Sequence, residues 1–273
     1  MGKFNGVLIC TDLDGTLLKN DKSISKQNLD AIEYFKNEGG FFTFITGRMP
    51  FFVSEIYEKV NPNAPFGCIN GGGVYDHRKK QYIWTQTLQR DAIALVEYAD
   101  KNIFGLGIQV NTFDKTYFCR ENQAMADFRK HTNMPNIVRD YKDVDEPIAK
   151  ILFGDKDESK ITELAQLLNS HPMANDVDFI RSEQTLYEIL PKGISKGTVI
   201  SKLVSILGID KSKTIAIGDY NNDVSMLRTA QIGVAGSNAV PEAKAAADYI
   251  TVSNEEHAIA KVIGDIDKYA MTI

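Results

Sequence analysis

Asp12 and Asp14 stand two residues apart in the run Asp12-Leu13-Asp14-Gly15-Thr16, directly after a short apolar stretch, Val7 to Thr11. Two carboxylates at that spacing beyond a strand can reach a phosphorus atom from different sides. One then serves as nucleophile and the other as acid/base. Gly15 lets the chain turn sharply there. A turn with a capping acid has the same spelling, so this motif alone leaves both readings open. A second acid-rich turn, Gly218-Asp219-Tyr220-Asn221-Asn222-Asp223, follows the apolar run Thr214 to Gly218. Alone, it too reads as a turn and helix cap. Together the two motifs gather several acids in one crevice, where like charges repel and a cation is expected among them. Hard oxygen ligands and an anionic substrate favour Mg²⁺.

Two further pieces supply what an anionic substrate needs. Thr46-Gly47-Arg48 follows the buried run Phe41 to Thr46. A lone TGR is more often a cap than a site. Lys196 falls in the first turn of a helix that Ser195 caps. Most lysines are solvated, but a cation there opposes the helix dipole, and a nearby anion would explain it.

These residues belong to a recognisable frame. Val7 to Thr11, Phe41 to Thr46 and Phe66 to Asn70 read as short buried strands, with Leu29, Ile32 and Phe35 on an intervening helix closed by Gly39-Gly40. That order predicts a doubly wound parallel α/β sheet covered on both faces, Rossmann-like in class. Open α/β sheets carry their sites beyond the carboxyl ends of strands. Those ends are Asp12, Thr46, Asn70 and Asp219.

Near residue 84 the pattern changes. A helix is predicted over Leu88 to Asn102, a hairpin over Leu106 to Cys119, and a helix near Glu121 to His131. A strand at Ile148 to Phe153, a helix at Glu158 to Leu168, and strands at Val177 to Arg181 and Leu186 to Leu190 follow. This is the signature of a separate α+β unit. Alternation resumes with a helix from Ser195 to Gly208, strands at Thr214 to Gly218 and Ile232 to Ala235, and a last strand at Tyr249 to Val252. The reading is a core of residues 1–83 and 191–273 with residues 84–190 inserted.

The order of the four pieces, DxDGT, a hydroxyl after the second strand, a lysine, then GDxxND, resembles the haloacid dehalogenase-like superfamily over almost the whole chain. The insert resembles the cap (type C2B) of its Cof-type sugar-phosphate phosphatases. The stretch Val234-Ala235-Gly236-Ser237-Asn238-Ala239 resembles the family's VAMGNA, with Gly-Ser for Met-Gly, and His257 stands where Gly is usual after NEE. The resemblance implies that Asp12 attacks phosphorus and that Asp14 is the acid/base. It implies that Mg²⁺ is held by the Asp12 side chain, the Asp14 carbonyl and Asp219, with Asp223 orienting the metal shell. Thr46, Gly47, Lys196 and Asn222 would grip the phosphoryl oxygens. Arg48 and Asn70 are candidate substrate contacts, and the insert would act as a hinged lid that reads the leaving group. Glu121, Tyr187 and Glu188 are candidates for that reading among its surface acids and aromatics.

Composition sets bounds. The chain has 273 residues, 43% hydrophobic and 25% charged, with a formal net charge of -5. That is ordinary for a globular protein and gives no global attraction for nucleic acid or anionic membranes. The expected partner is a small phosphorylated metabolite. Cys10, Cys68 and Cys119 are too far apart for a CxxC metal pair. An odd number of cysteines, two of them in apolar runs, no run of transmembrane length and no signal pattern lead to the expectation of a cytoplasmic protein. Two other readings share these residues. A phosphomutase or phosphotransferase would pass the phosphoryl group to a hydroxyl instead of water. A non-enzymatic phospho-receiver also combines acids, a Thr and a Lys, but an acid/base two residues after the nucleophile argues against a long-lived phosphoaspartate.

Overall fold

The computed structural model describes residues 2–132 and 134–269. They form two compact units, Gln86–Ile194 and the chain on either side of it.

The first unit opens with β1 (Leu8–Thr11), whose four residues are all buried, as both faces of a covered sheet require. Ser25 caps α1 (Lys26–Asn37), its hydroxyl accepting the Asn28 N–H. The predicted stripe is shifted at one place: Asn28, not Leu29, is buried beside Ile32 and Phe35. Its side-chain oxygen accepts the Ala260 N–H, while its side-chain nitrogen is buried without a partner. Next come β2 (Phe41–Phe44), α2 (Ser54–Val60), β3 (Phe66–Cys68), β4 (Gly73–Asp76) and β5 (Gln81–Thr85).

Here the structure corrects the expected third parallel strand. β3 pairs antiparallel with β4, and β4 with β5, in a separate three-stranded sheet. A single bridge, Ile45 to Gly67, joins β3 to the end of β2. Asn70 is not at a strand end but in a turn with φ 51°. The following hairpin is half-exposed, which blurred the apolar signal of its strands.

The inserted unit contains α3 (Ile93–Asn102), β6 (Gly107–Thr112), β7 (Thr116–Arg120), α4 (Gln123–Thr132), β8 (Ile148–Gly154), α5 (Glu158–Asn169), β9 (Val177–Glu183) and β10 (Leu186–Pro191). Its antiparallel sheet has the order β7-β6-β8-β10-β9. One face packs Ile108, Val110, Ile151 and Ile189 into a core with Leu95 of α3 and Leu164 of α5. Alternate residues on the other face are polar and still buried: Gln109, Asn111, Lys150 and Glu188. The first helix starts later than its apolar pattern suggested, because the Leu88 N–H donates to the Ile148 carbonyl and ties that residue to the sheet.

The chain then returns to the first unit with α6 (Lys196–Leu207), β11 (Thr214–Gly218), α7 (Val224–Thr229), β12 (Ile232–Ala235), α8 (Pro241–Ala246), β13 (Tyr249–Ile250) and α9 (Ala258–Tyr269). The parallel sheet has the order β13-β12-β11-β1-β2. The last strand is two residues long, shorter than expected. Among the described residues no helix is long and apolar enough to cross a membrane.

Candidate active site

Register brings the key positions together. Thr11 of β1 lies opposite Ile217 of β11 and Phe44 of β2. The Asp12 N–H donates to the Ile217 carbonyl at 2.8 Å, and the Ile45 N–H to the Thr11 carbonyl at 2.9 Å. Asp12, Asp219 and Thr46 therefore leave three adjacent strands at the same edge. Two glycines make the approach possible. Gly15 has φ 79°, and a β-carbon there would lie 2.3 Å from an Asp219 carboxylate oxygen. A β-carbon at Gly218 would come within 2.5 Å of the Asp223 side chain.

Lys196 links the two acid motifs. Its ammonium is wholly buried and donates at 2.6 Å to Asp12 Oδ1 and at 2.6 Å to Asp223 Oδ1. The capping box of Ser195 and Thr198 holds the start of α6 beneath it. Asp223 Oδ2 accepts the N–H groups of Asp219 and Tyr220 at 2.8 and 3.0 Å. Thr16 Oγ1 donates to Asp219 Oδ1 at 2.6 Å. Oxygens of Asp12, Asp219 and Asp223 lie within 4.8 Å of one another.

Charge does not balance in this cluster. Burial pushes the Asp12 carboxyl well above its ordinary range, Lys196 pulls it back, and Asp223 and Asp219 raise it again. Burial and the Asp223 charge push Asp219 up to about 7. Burial alone would lower Lys196, but the charges of Asp12 and Asp223 outweigh it and keep the ammonium protonated. Two like charges about 4 Å apart repel by about 4 kcal/mol at an effective dielectric near 20. Three carboxylates facing one ammonium thus form a set of hard oxygens with surplus negative charge. That donor set fits a divalent cation.

Asp14 sits apart from this cluster. Arg48 grips its carboxylate with two bonds, Nε to Oδ2 at 2.9 Å and an Nη to Oδ1 at 2.7 Å. Lys22 adds a third at 2.8 Å. Burial pushes the Asp14 carboxyl up, but Arg48 and Lys22 outweigh it and leave it below its usual value. Arg48 is thus a partner of Asp14 here. The Thr46 hydroxyl accepts the Arg48 N–H at 3.2 Å. Asn222 donates to the Asn70 side-chain oxygen at 3.1 Å, and its own side-chain oxygen is buried without a partner. Gly47 lies against the Asn70 amide, which would be 2.9 Å from a β-carbon. Thr46, Asn70 and Asn222 are all buried.

Sequence reasoning missed Thr16 and Lys22 as partners of the acids. The DxDGT spelling contains Thr16, but only the fold shows it reaching Asp219. In the inserted unit, the candidates named as surface residues divide three ways. Tyr187 belongs to the apolar core, Glu188 is buried against Lys150 at 2.8 Å, and Glu121 pairs with Arg129.

Known proteins resemble this chain over most of its length. A family model described as haloacid dehalogenase-like hydrolase matches residues 9–263. The 5-amino-6-(5-phospho-D-ribitylamino)uracil phosphatase YwtE of Bacillus subtilis is 29% identical over 286 residues, spanning 94% of this chain and 97% of its own. YitU of the same organism, which bears the same phosphatase name, is 26% identical over 260 residues, with 94% and 96% covered. The crystal structure of a haloacid dehalogenase-like hydrolase from Bacteroides thetaiotaomicron superposes with a TM-score of 0.81 at 26% identity, covering 95% of this chain and 99% of that one.

Proposed function

The chain belongs to the haloacid dehalogenase-like hydrolase family, and from that premise we propose that it is a Mg²⁺-dependent phosphatase acting on small phosphate monoesters, sugar phosphates or related metabolites, through an aspartyl-phosphate on Asp12. The observation that carries this reading is the cluster itself: Asp12 at the end of β1, bonded to buried Lys196, with Asp219 and Asp223 alongside.

Asp12 attacks phosphorus in line, forming a bond from its carboxylate oxygen as the bond to the leaving oxygen breaks. Asp14, protonated once Arg48 and Lys22 release it, gives its proton to the leaving oxygen. It then takes a proton from the water that attacks the phosphorus and frees Asp12. The pairing with Arg48 and Lys22 favours the ionised Asp14 that this second step needs. Lys196, the Thr46 hydroxyl, the Gly47 N–H and Asn222 bind the phosphoryl oxygens and meet charge as it builds in the transition state. Mg²⁺, held by Asp12, Asp219 and the Asp14 carbonyl with Asp223 orienting the set, would neutralise carboxylate and phosphate charge that otherwise repel.

Phosphate release from an aryl phosphate tests the reading. Activity is expected with Mg²⁺, loss with chelator, and a trapped phosphoryl group on Asp12. Full activity in excess chelator, or a phosphoryl group on another residue, would overturn it. A panel containing sugar phosphates and 5-amino-6-(5-phospho-D-ribitylamino)uracil then ranks substrates.

A further inference from the structure

Two stretches singled out in the sequence have no part in the reaction just described: Gly236-Ser237-Asn238-Ala239, and Asn254-Glu255-Glu256. The fold joins them. The Asn254 N–H donates to the Asn238 side-chain oxygen at 3.2 Å. Each asparagine then reaches the same distant turn. Asn238 Nδ2 donates to the Gly15 carbonyl at 2.8 Å across 223 residues. Asn254, only 3% exposed, donates through Nδ2 to the Leu18 carbonyl at 3.0 Å across 236 residues. Glu255 extends the contact, accepting the Asn20 N–H at 2.7 Å and pairing with Lys19 at 3.3 Å. His257, with φ 66°, turns the chain in a left-handed conformation just after this segment.

The turn from Asp12 to Leu18 satisfies part of itself. The Asp12 carbonyl accepts the Leu17 N–H, and the Leu13 carbonyl accepts those of Thr16 and Leu18. The carbonyls of Gly15 and Leu18 take their donors from the two asparagines. Fixing the Gly15 carbonyl fixes the peptide that leads into Thr16, whose hydroxyl holds Asp219. It also limits rotation of the peptide before it, which carries the Asp14 carbonyl. On the other side, the Val240 N–H donates to the Asp219 carbonyl at 2.9 Å, so the same segment touches both acid motifs.

We propose that Asn238 and Asn254 are positioning residues: as a hydrogen-bonded pair they brace the carbonyls of Gly15 and Leu18, and thereby set the Asp12–Thr16 turn and Asp219 in metal-binding geometry. The metal consequence rests on the function proposed above, and the brace itself does not. Groups that orient metal ligands typically change metal affinity by about 10–100-fold when removed. Asn238 is exposed, so its loss costs the global fold little.

The test uses the full chain carrying Asn238→Ala or Asn238→Asp. The aspartate keeps an acceptor for the Asn254 N–H but sets an oxygen against the Gly15 carbonyl, so it should loosen the turn at least as much as alanine. In metal-free protein, amide hydrogen exchange of peptides covering residues 12–20 should quicken by about 10-fold, with exchange elsewhere unchanged. Calorimetric titration with Mg²⁺ should give a Kd raised by about 10-fold or more. Unchanged exchange in residues 12–20, or a uniform rise over the whole chain, overturns the brace. A fast-exchanging turn with wild-type Mg²⁺ affinity overturns the positioning role. If wild-type protein binds no Mg²⁺, the metal reading fails while the exchange comparison still decides the brace. Should the aspartate variant not fold, Asn238→Ser replaces it in both measurements.

Discussion

Two sheets in this molecule bury a lysine against carboxylates, and they balance the charge differently. In the inserted unit, Lys150 meets Glu188 at 2.8 Å, with side chains 8% and 3% exposed. At the edge of the parallel sheet, Lys196 meets Asp12 and Asp223 at 2.6 Å, and Asp219 adds a third carboxylate nearby. The unbalanced cluster stores repulsion that a cation can relieve, and it carries Asp12, the acid that directly follows β1. A buried ion pair by itself is therefore poor evidence for a site, whereas a buried surplus of one sign is much better evidence.

Replacing single groups should break this comparison cleanly. Asp12→Asn is expected to give the largest effect, a loss of aryl-phosphate turnover on the order of 10⁴-fold or more, as removal of a nucleophile does. No covalent intermediate should be trapped. Measurable burst phosphorylation in that variant would contradict the assignment.

Glu188→Gln should do the reverse. It takes away the carboxylate charge that faces a buried ammonium and should cost about 3–5 kcal/mol in urea unfolding, with aryl-phosphate chemistry and metal dependence retained. The double variant Lys150→Met/Glu188→Leu should recover most of that stability, because two apolar groups need no partner. A double variant as unstable as the single one would show that this pair does more than balance itself.

Asp219 sharpens the contrast through sign. Its folded pKa is raised to about 7 by burial and by Asp223. The folded state therefore holds this proton more tightly than the unfolded chain. The contribution is fully present below about 4 and is lost as pH rises through 7, on the order of 4 kcal/mol. In metal-free protein, stability should fall across that window, and Asp219→Asn should flatten the fall. Saturating Mg²⁺ should remove it as well. A metal-free stability curve with the same slope in wild type and variant would refute the surplus-charge account.

The smallest effect belongs to a carboxylate that is only partly exposed. Glu146 accepts the Tyr117 hydroxyl at 2.5 Å and meets Arg139 at 3.0 Å. The Tyr117 hydrogen bond holds its carboxyl down at about 2, against the pull of what burial it has. Its contribution is present above the unfolded value near 4.5 and is lost as pH falls towards 2. Glu146→Gln should change stability at pH 7 by less than about 1 kcal/mol. Urea midpoints of variant and wild type should converge between pH 4.5 and 2. A persistent gap at pH 2 would assign the residue a packing role instead.

The α/β class was legible because short apolar runs such as Leu8–Thr11 and Thr214–Gly218 can only be strands covered on both faces. The acids were legible as a set because each follows such a run, and a strand end fixes where the next residue emerges. Phe66–Cys68 misled for the same reason. An apolar run states that a strand is buried, but its pairing partner and direction depend on the chain that follows, here the antiparallel hairpin of β4 and β5. The half-buried place of Leu29 was also out of reach, since the buried Asn28 is held by a bond from the remote Ala260 N–H to its side-chain oxygen.

What the sequence by itself determined, then, was an inventory with an order: which side-chain chemistries stand at the ends of which strands, and that an α+β segment interrupts them. Those features are local, set by hydrophobic periodicity and turn residues within a few positions. Only the tertiary structure decided the pairings. Lys196 and Asp12 are 184 residues apart, Arg48 and Asp14 are 34 apart, and Asn238 and Gly15 are 223 apart. Hydrogen bonds and charge interactions act over a few ångströms. Which carboxylate receives the ammonium, and which receives the guanidinium, is therefore set by packing that brings remote segments into contact, and no local spacing encodes it.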